Sequence, residues 1–167
     1  INEDLSIMRT TLAASMVNAI ARNQKRGNLE GRLFEMGKVF IPKELPLTDY
    51  PDERERLSIG IWGNEESFFT LKGMAEKLAK AMFVTFTYEP VQKSFLHPYQ
   101  TAAILCEGKE IGYMGKVSYE VAEELDYRTA AYYLEIDLKS LEVMYDRRAV
   151  FEPLSKFAEE SRDLALV

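Results

Sequence analysis

Two strand-like runs, Thr101 to Cys106 and Glu110 to Val117, are joined by only Glu107-Gly108-Lys109. A link this short folds two strands back on each other antiparallel, with Gly108 supplying a backbone angle that other side chains resist. Around this hairpin, the hydrophobic periodicity predicts the order helix, strand, strand, helix, strand, hairpin, helix, strand, helix. That order predicts an α+β fold, an antiparallel sheet flanked by helices, and not a doubly wound parallel sheet.

The individual elements follow from local pattern. Residues 11–26 are predicted as a helix because Leu12, Met16 and Ile20 recur at four-residue spacing beside Ala13 and Val17, and Gly27-Asn28 ends it. Arg32 to Ile41 is apolar on both alternating sets, which predicts a central strand covered on both faces. Pro42, Pro46 and Pro51 lie among charged residues and predict an exposed, mobile loop over 42–56. Strands are expected over Leu57 to Trp62, Val84 to Tyr88 and Ala131 to Ile136. Helices are expected over Phe69 to Phe83, Tyr119 to Leu125 and a stretch ending near Met144, the last two capped by Ser118 and Asp137.

With 167 residues, 47% of them hydrophobic, the chain has enough apolar side chain for one sizeable core. One cysteine, Cys106, and one histidine, His97, exclude a disulfide framework and a zinc site of the usual Cys and His type within this chain. No apolar run has the length of a membrane span, so a soluble, cytoplasmic protein with no membrane partner is expected. The net charge of −6 disfavours general nucleic-acid binding. Residues 1–38 nevertheless carry six Lys or Arg against four acids, which leaves −8 for the remainder. Within them Arg22, Lys25, Arg26 and Arg32 form a possible RNA-contact patch, although Lys25 and Arg26 equally suit the negative end of a helix.

The chemistry-bearing residues give no catalytic centre. There is no Gly-rich phosphate loop, dinucleotide fingerprint or nucleophile elbow. His97 precedes Pro98, which predicts an extended residue in a loop, structural in role. Glu123-Glu124 and Glu159-Glu160 are sequence neighbours and diverge on a helix, so neither pair makes an acid and a base. Asp49, Asp52, Glu53 and Glu55 read as a solvated cluster in the proline loop, not a metal site.

A resemblance adds to this reading. Glu3 to Leu12 (EDLSIMRTTL), Ala21-Arg22-Asn23, Arg32 to Phe40 (RLFEMGKVF), Phe68 to Gly73 (FFTLKG) and Phe95 to Pro98 (FLHP) form one series of blocks. Ile111 to Val117 (IGYMGKV), Leu134 to Leu138 (LEIDL), Ser155-Lys156-Phe157 and Arg162 to Val167 (RDLALV) continue it. In order, these blocks resemble the β-subunit family of bacterial phenylalanyl-tRNA synthetases. Arg9, Thr10, Arg22, Asn23, Phe34, Glu35, Gly37, His97 and Pro98 stand at positions of the family pattern, with a structural or interface role implied. The pattern is departed from at Ser118-Tyr119, where the family has His-Pro, and at Ala158 to Ser161.

The resemblance implies a class II aminoacyl-tRNA synthetase-like core over residues 1–150, catalytic-like but without active-site residues. Residues 151–167 would be a linker and, from Arg162, the first strand of an anticodon-binding ferredoxin-like domain, frayed here for want of its partners. The family's motif 1 helix and the magnesium ligands of the β subunit would lie before Ile1. Leu33 to Phe40 takes the place of the motif 2 strand and Tyr132 to Leu138 that of motif 3. An active core carries an arginine on each to hold ATP phosphates, whereas here the motif 3 position reads Tyr133-Leu134-Glu135-Ile136-Asp137. The implied holoenzyme, two α and two β subunits, joins phenylalanine to tRNA with ATP and magnesium, the α subunit carrying the chemistry. This chain is then expected to need no cofactor of its own and to dock the α subunit. Leu12, Met16, Val17 and Ile20 fit either that interface or the core. An accessory RNA-binding domain and a stand-alone enzyme are the alternatives.

Overall fold

The computed structural model describes residues 7–144. The expected boundary at 150/151 and the expected strand from Arg162 lie outside the described residues. Helix α1 (Ala13–Lys25) is followed by β1 (Gly31–Ile41), β2 (Asp52–Trp62), α2 (Phe68–Ala81), β3 (Phe86–Pro90) and β4 (Leu96–Cys106). β5 (Lys109–Val117), α3 (Tyr119–Glu124), β6 (Ala131–Asp137) and α4 (Leu138–Met144) complete the order.

The six strands form one sheet in the order β1-β2-β6-β5-β4-β3, each neighbouring pair antiparallel. The fold is therefore the expected α+β type, with β4 and β5 as the expected hairpin and positive φ at Gly27 and Gly108 where a stop and a turn were read. β6 comes last in sequence among the strands yet lies between β2 and β5, and all seven of its residues are buried.

Two cores flank the sheet. On one face α1 packs Met16, Val17 and Ile20 against Trp62, Tyr113, Val117 and Tyr133, so the helix residues in doubt between interface and core belong to the core. On the other, α2 and α4 bring Leu71, Ala75 and Leu141 onto Ile61, Ile104, Met114, Leu134 and Ile136. The short helices begin as anticipated: the Val121 amide donates to Ser118 Oγ at 3.3 Å and the Ser140 amide to Asp137 Oδ1 at 2.9 Å.

Three expectations are corrected. β1 is an edge strand, not a central one, and Phe34 and Met36 on one of its faces are 74% and 59% exposed. Apolar residues on both faces record that both faces avoid water; they do not say that both are covered within the same chain. The loop after β1 ends at residue 51, because Asp52 to Arg56 pair with Gly37 to Ile41 in register. Charged residues are tolerated in that stretch of strand because Lys38 meets Glu53 across the pair and Arg54 and Arg56 reach carboxylates of β6. His97 lies in β4, not in a loop. Its extended pre-proline backbone suits a strand, and Pro98 sits where the pairing with β5 shifts register between Leu96 and Thr101, so no ladder donor is lost.

The close packing of β5 on β6 leaves no room for a side chain at Gly112, whose added Cβ would stand 2.1 Å from the Glu135 carbonyl oxygen and 2.9 Å from Ile136 Cα. Because these atoms are backbone and cannot rotate away, Gly112→Ala is expected to lower the unfolding free energy by about 1–3 kcal/mol in urea titrations. An unchanged midpoint would show that the two strands separate without cost.

Candidate functional site

Glu135 is the acid in the otherwise apolar middle of β6, and it is fully buried on the α1 face. The register brings Tyr113 of β5 directly opposite it and Arg56 of β2 opposite Asp137, two residues along the strand and on the same face. Arg56 Nη1 donates to Glu135 Oε1 at 2.6 Å, and the Arg56 side chain is only 18% exposed. The other carboxylate oxygen accepts from Thr11 Oγ1 at 2.6 Å, from the Leu12 amide at 3.0 Å and from the Tyr133 hydroxyl. Thr11 Oγ1 in turn accepts from the Ala13 amide at 3.1 Å and lies 3.3 Å from the Tyr113 hydroxyl. The carboxylate thus serves as the missing cap of α1, satisfying an N-terminal amide from across the sheet.

Burial, and then the Glu135 charge, push the Tyr113 hydroxyl up to about 12; the same two causes raise Tyr133 further. Both phenols therefore stay neutral and able to donate at ordinary pH.

This arrangement does not fit ATP. At the position that the resemblance equates with the motif 3 strand, β6 presents Glu135 and Asp137. The nearby arginines are committed, Arg56 to Glu135 and Arg54 to Asp52 and Asp137. At Glu135 a polyphosphate would find Arg56 already engaged and the Leu12 amide already seated on the carboxylate. Among the described residues no group of three or more His, Cys, Asp or Glu is placed to hold a metal; of the acids expected together in the proline loop, Asp49 lies in the loop paired with Lys43, whereas Asp52, Glu53 and Glu55 lie on β2, with Asp52 paired to Arg54 and Glu53 to Lys38.

Of the family-pattern positions, Arg9, Glu35 and Gly37 come together. Arg9 Nη1 donates to Glu35 at 2.7 Å and Nε to the Lys38 carbonyl at 2.9 Å, while the Phe40 amide donates to the Arg9 carbonyl at 2.8 Å. An added Cβ at Gly37 would lie 2.4 Å from Arg9 Nη2, so the glycine makes room for this guanidinium. Glu35 also accepts from Ser15, fastening α1 to β1. Thr10 is exposed. Asn23 donates to the Ala19 carbonyl and accepts from Asn28 at the end of α1. His97 Nδ1 accepts from the Tyr99 amide at 3.2 Å, and its ring meets those of Tyr99 and Tyr119 edge-on. Pro98 beside it is exposed.

The basic patch is divided. Arg22, Lys25 and Arg26 are exposed on the last turns of α1, whereas Arg32 pairs with Glu66 at 2.6 Å, towards the start of α2 on the opposite side of the sheet. Sequence reading noticed Glu135 only as an acid at the wrong place for phosphate. Its structural role was signalled by a lone carboxylate inside an apolar strand, since a buried acid requires partners, but Thr11, Arg56 and Tyr113 could not be assigned to it without the register.

Removing one partner leaves the other charge buried, so Arg56→Met and Glu135→Ala are each expected to cost about 3–5 kcal/mol in denaturant unfolding, with a double mutant far short of the sum. The tyrosines set an alkaline limit. In the unfolded chain they ionise near 10, while Tyr88 and Tyr113 are held up to about 12 in the fold. The folded state then keeps protons that the unfolded state has lost, so stability is full below pH 10 and declines as pH rises from about 10 to 12. Denaturant melts across that window, with tyrosinate absorbance followed in parallel, measure this.

Comparison with known proteins places the arrangement in context. Residues 1–138 match the family described as the phenylalanyl tRNA synthetase beta chain CLM domain. Phenylalanine–tRNA ligase beta subunits of Clostridium acetobutylicum and Thermotoga maritima are 35% and 29% identical over 100% of this chain, which covers 21% and 22% of their lengths. The chain thus spans about a fifth of these relatives. A pyrrolysyl tRNA synthetase of Desulfitobacterium hafniense shares the fold, with a TM-score of 0.62 over 81% of this chain and 49% of that one at 18% identity. The expected class II synthetase-like core is accordingly the observed one, and the chain belongs to the phenylalanyl-tRNA synthetase β-chain family.

Proposed function

We propose that this chain is a non-catalytic docking module of phenylalanine–tRNA ligase, holding the catalytic α subunit in an assembly of two α and two β subunits. In that assembly ATP and magnesium act at the α subunit, the complex is cytoplasmic, and tRNA is met through the holoenzyme. The single observation that carries the reading is the exposed apolar face of edge strand β1. Phe34 and Met36 stand there opposite Ile59 and Leu57 of β2 and are 74% and 59% exposed, and Phe69 at the start of α2 is 77% exposed. Large apolar side chains grouped at a sheet edge mark an interaction surface. Burying each contributes roughly 1.5–3 kcal/mol. The acid-lined β6, unsuited to a polyphosphate, supports a structural role over a stand-alone enzyme. Capture of Arg32 by Glu66 weakens the RNA-binding alternative, because the four cations do not share one face.

Co-expression of this chain with the α subunit of the same ligase, followed by size-exclusion chromatography with mass detection, tests the proposal. A stable complex is expected for the wild type, and Phe34→Asp with Met36→Asp should weaken it by a factor of about a hundred or more. Separate peaks for the wild type would remove the docking role. ATP–pyrophosphate exchange by the chain alone should stay at background; exchange above it would reinstate the enzyme reading.

A further inference from the structure

A second surface lies away from the Phe34 face. Along the exposed side of α1 runs a groove of about 960 Å³. Its apolar walls include Ile7, which is 88% exposed, Met8, and Leu125 beyond the end of α3. Towards the last turn of α1 it is lined by Arg22 and Lys25. Among the described residues no acid lines it, although the whole chain carries −6. Its third cation, Arg9, is neutralised by Glu35, whereas Arg22 and Lys25 have no ion-pair partner among the described residues.

We infer that this groove receives an amphipathic helix of the α subunit, apolar along the face it buries and acidic at the end beside Arg22 and Lys25. The inference rests on the docking role proposed above and adds to it the place and chemistry of a second contact. Length and charge argue for that occupant. From Ala14 to Lys25 the α1 flank extends roughly 16 Å at 1.5 Å per residue, the span of about three turns of a companion helix. Ile7 and Met8 gain from contact with apolar side chains, not with phosphates, and the negative end of α1 offsets only part of the two cations. An acidic helix end laid antiparallel to α1 brings its carboxylates to Arg22 and Lys25, and the net charge of −6 on the whole chain disfavours such an end over most of the rest of the surface. RNA is the other macromolecule that two cations could attract. It would want aromatic stacking partners or more cations, and among the described residues no aromatic side chain lines the groove.

The test uses the co-expressed complex with the α subunit. A benzophenone amino acid at exposed Asn18 of the groove reports the neighbour. The expected cross-link is to an acidic, amphipathic helical segment of the α subunit. Asn18→Trp, which fills the groove, and Arg22→Glu with Lys25→Glu, which reverses its charge, should each weaken the complex about tenfold or more, with melting temperature unchanged and the loss from charge reversal smaller at high salt. A complex that forms normally with both variants, or a cross-link to tRNA, overturns the inference while leaving the docking role intact. Absence of any complex with the wild-type chain overturns both. Loss of binding with Phe34→Asp and Met36→Asp but not with the groove variants assigns docking to the β1 face alone and rejects the groove.

Discussion

Taking a carboxylate out of water costs several kcal/mol unless charge and hydrogen bonds replace its hydration, and at Glu135 the four replacements come from three separate parts of the chain. Arg56 answers from β2, Tyr133 from β6 itself, and Thr11 and the Leu12 amide from the approach to α1. Arg56, on the neighbouring strand, is in reach only when β6 pairs with β2 in this register. The carboxylate therefore ties the beginning of the described chain to its last strand, and with it the direction in which α1 leaves the sheet.

From that anchor the remaining geometry follows. Once Leu12 is fixed, the apolar stripe of α1 meets Trp62, Tyr113 and Tyr133, and residues 7–10 are led out past the edge of β1, where the Arg9 carbonyl receives the Phe40 amide. Gly37 accommodates the Arg9 side chain on the same face. One face of β1 is thereby fastened to α1 through Glu35 and Ser15, while the other, carrying Phe34 and Met36, stays open. The asymmetry between the two faces of one strand underlies the docking proposal.

Much of the fold was legible because the deciding forces were local. The hairpin at Gly108, the stop at Gly27 and the caps at Ser118 and Asp137 each depend on a few neighbouring residues. What escaped was set by distant partners. Arg32 to Ile41 looks the same whether its second face is covered by this chain or by another, so its edge position was misread. Asp52 to Arg56 looked like loop because the acids that accept Arg54 and Arg56 lie some eighty residues away on β6. The basic residues near α1 were grouped by proximity in sequence, yet successive residues of β1 face opposite sides of the sheet, and Arg32 went to the side of Glu66. The polar cluster around Glu135 was visible only as an acid out of place.

The bond from Phe40 to Arg9 closes one end of β1 and leaves the stretch from Arg32 to Met36 at the edge of the sheet, with no strand beside it among the described residues. Such an edge pairs with whatever extended chain reaches it first, including another copy of itself. Time then matters as well as affinity: under the proposed docking, the edge stands during synthesis in competition between that partner and its own siblings, so making the two close together in space and time favours the first outcome and a surplus of this chain favours the second.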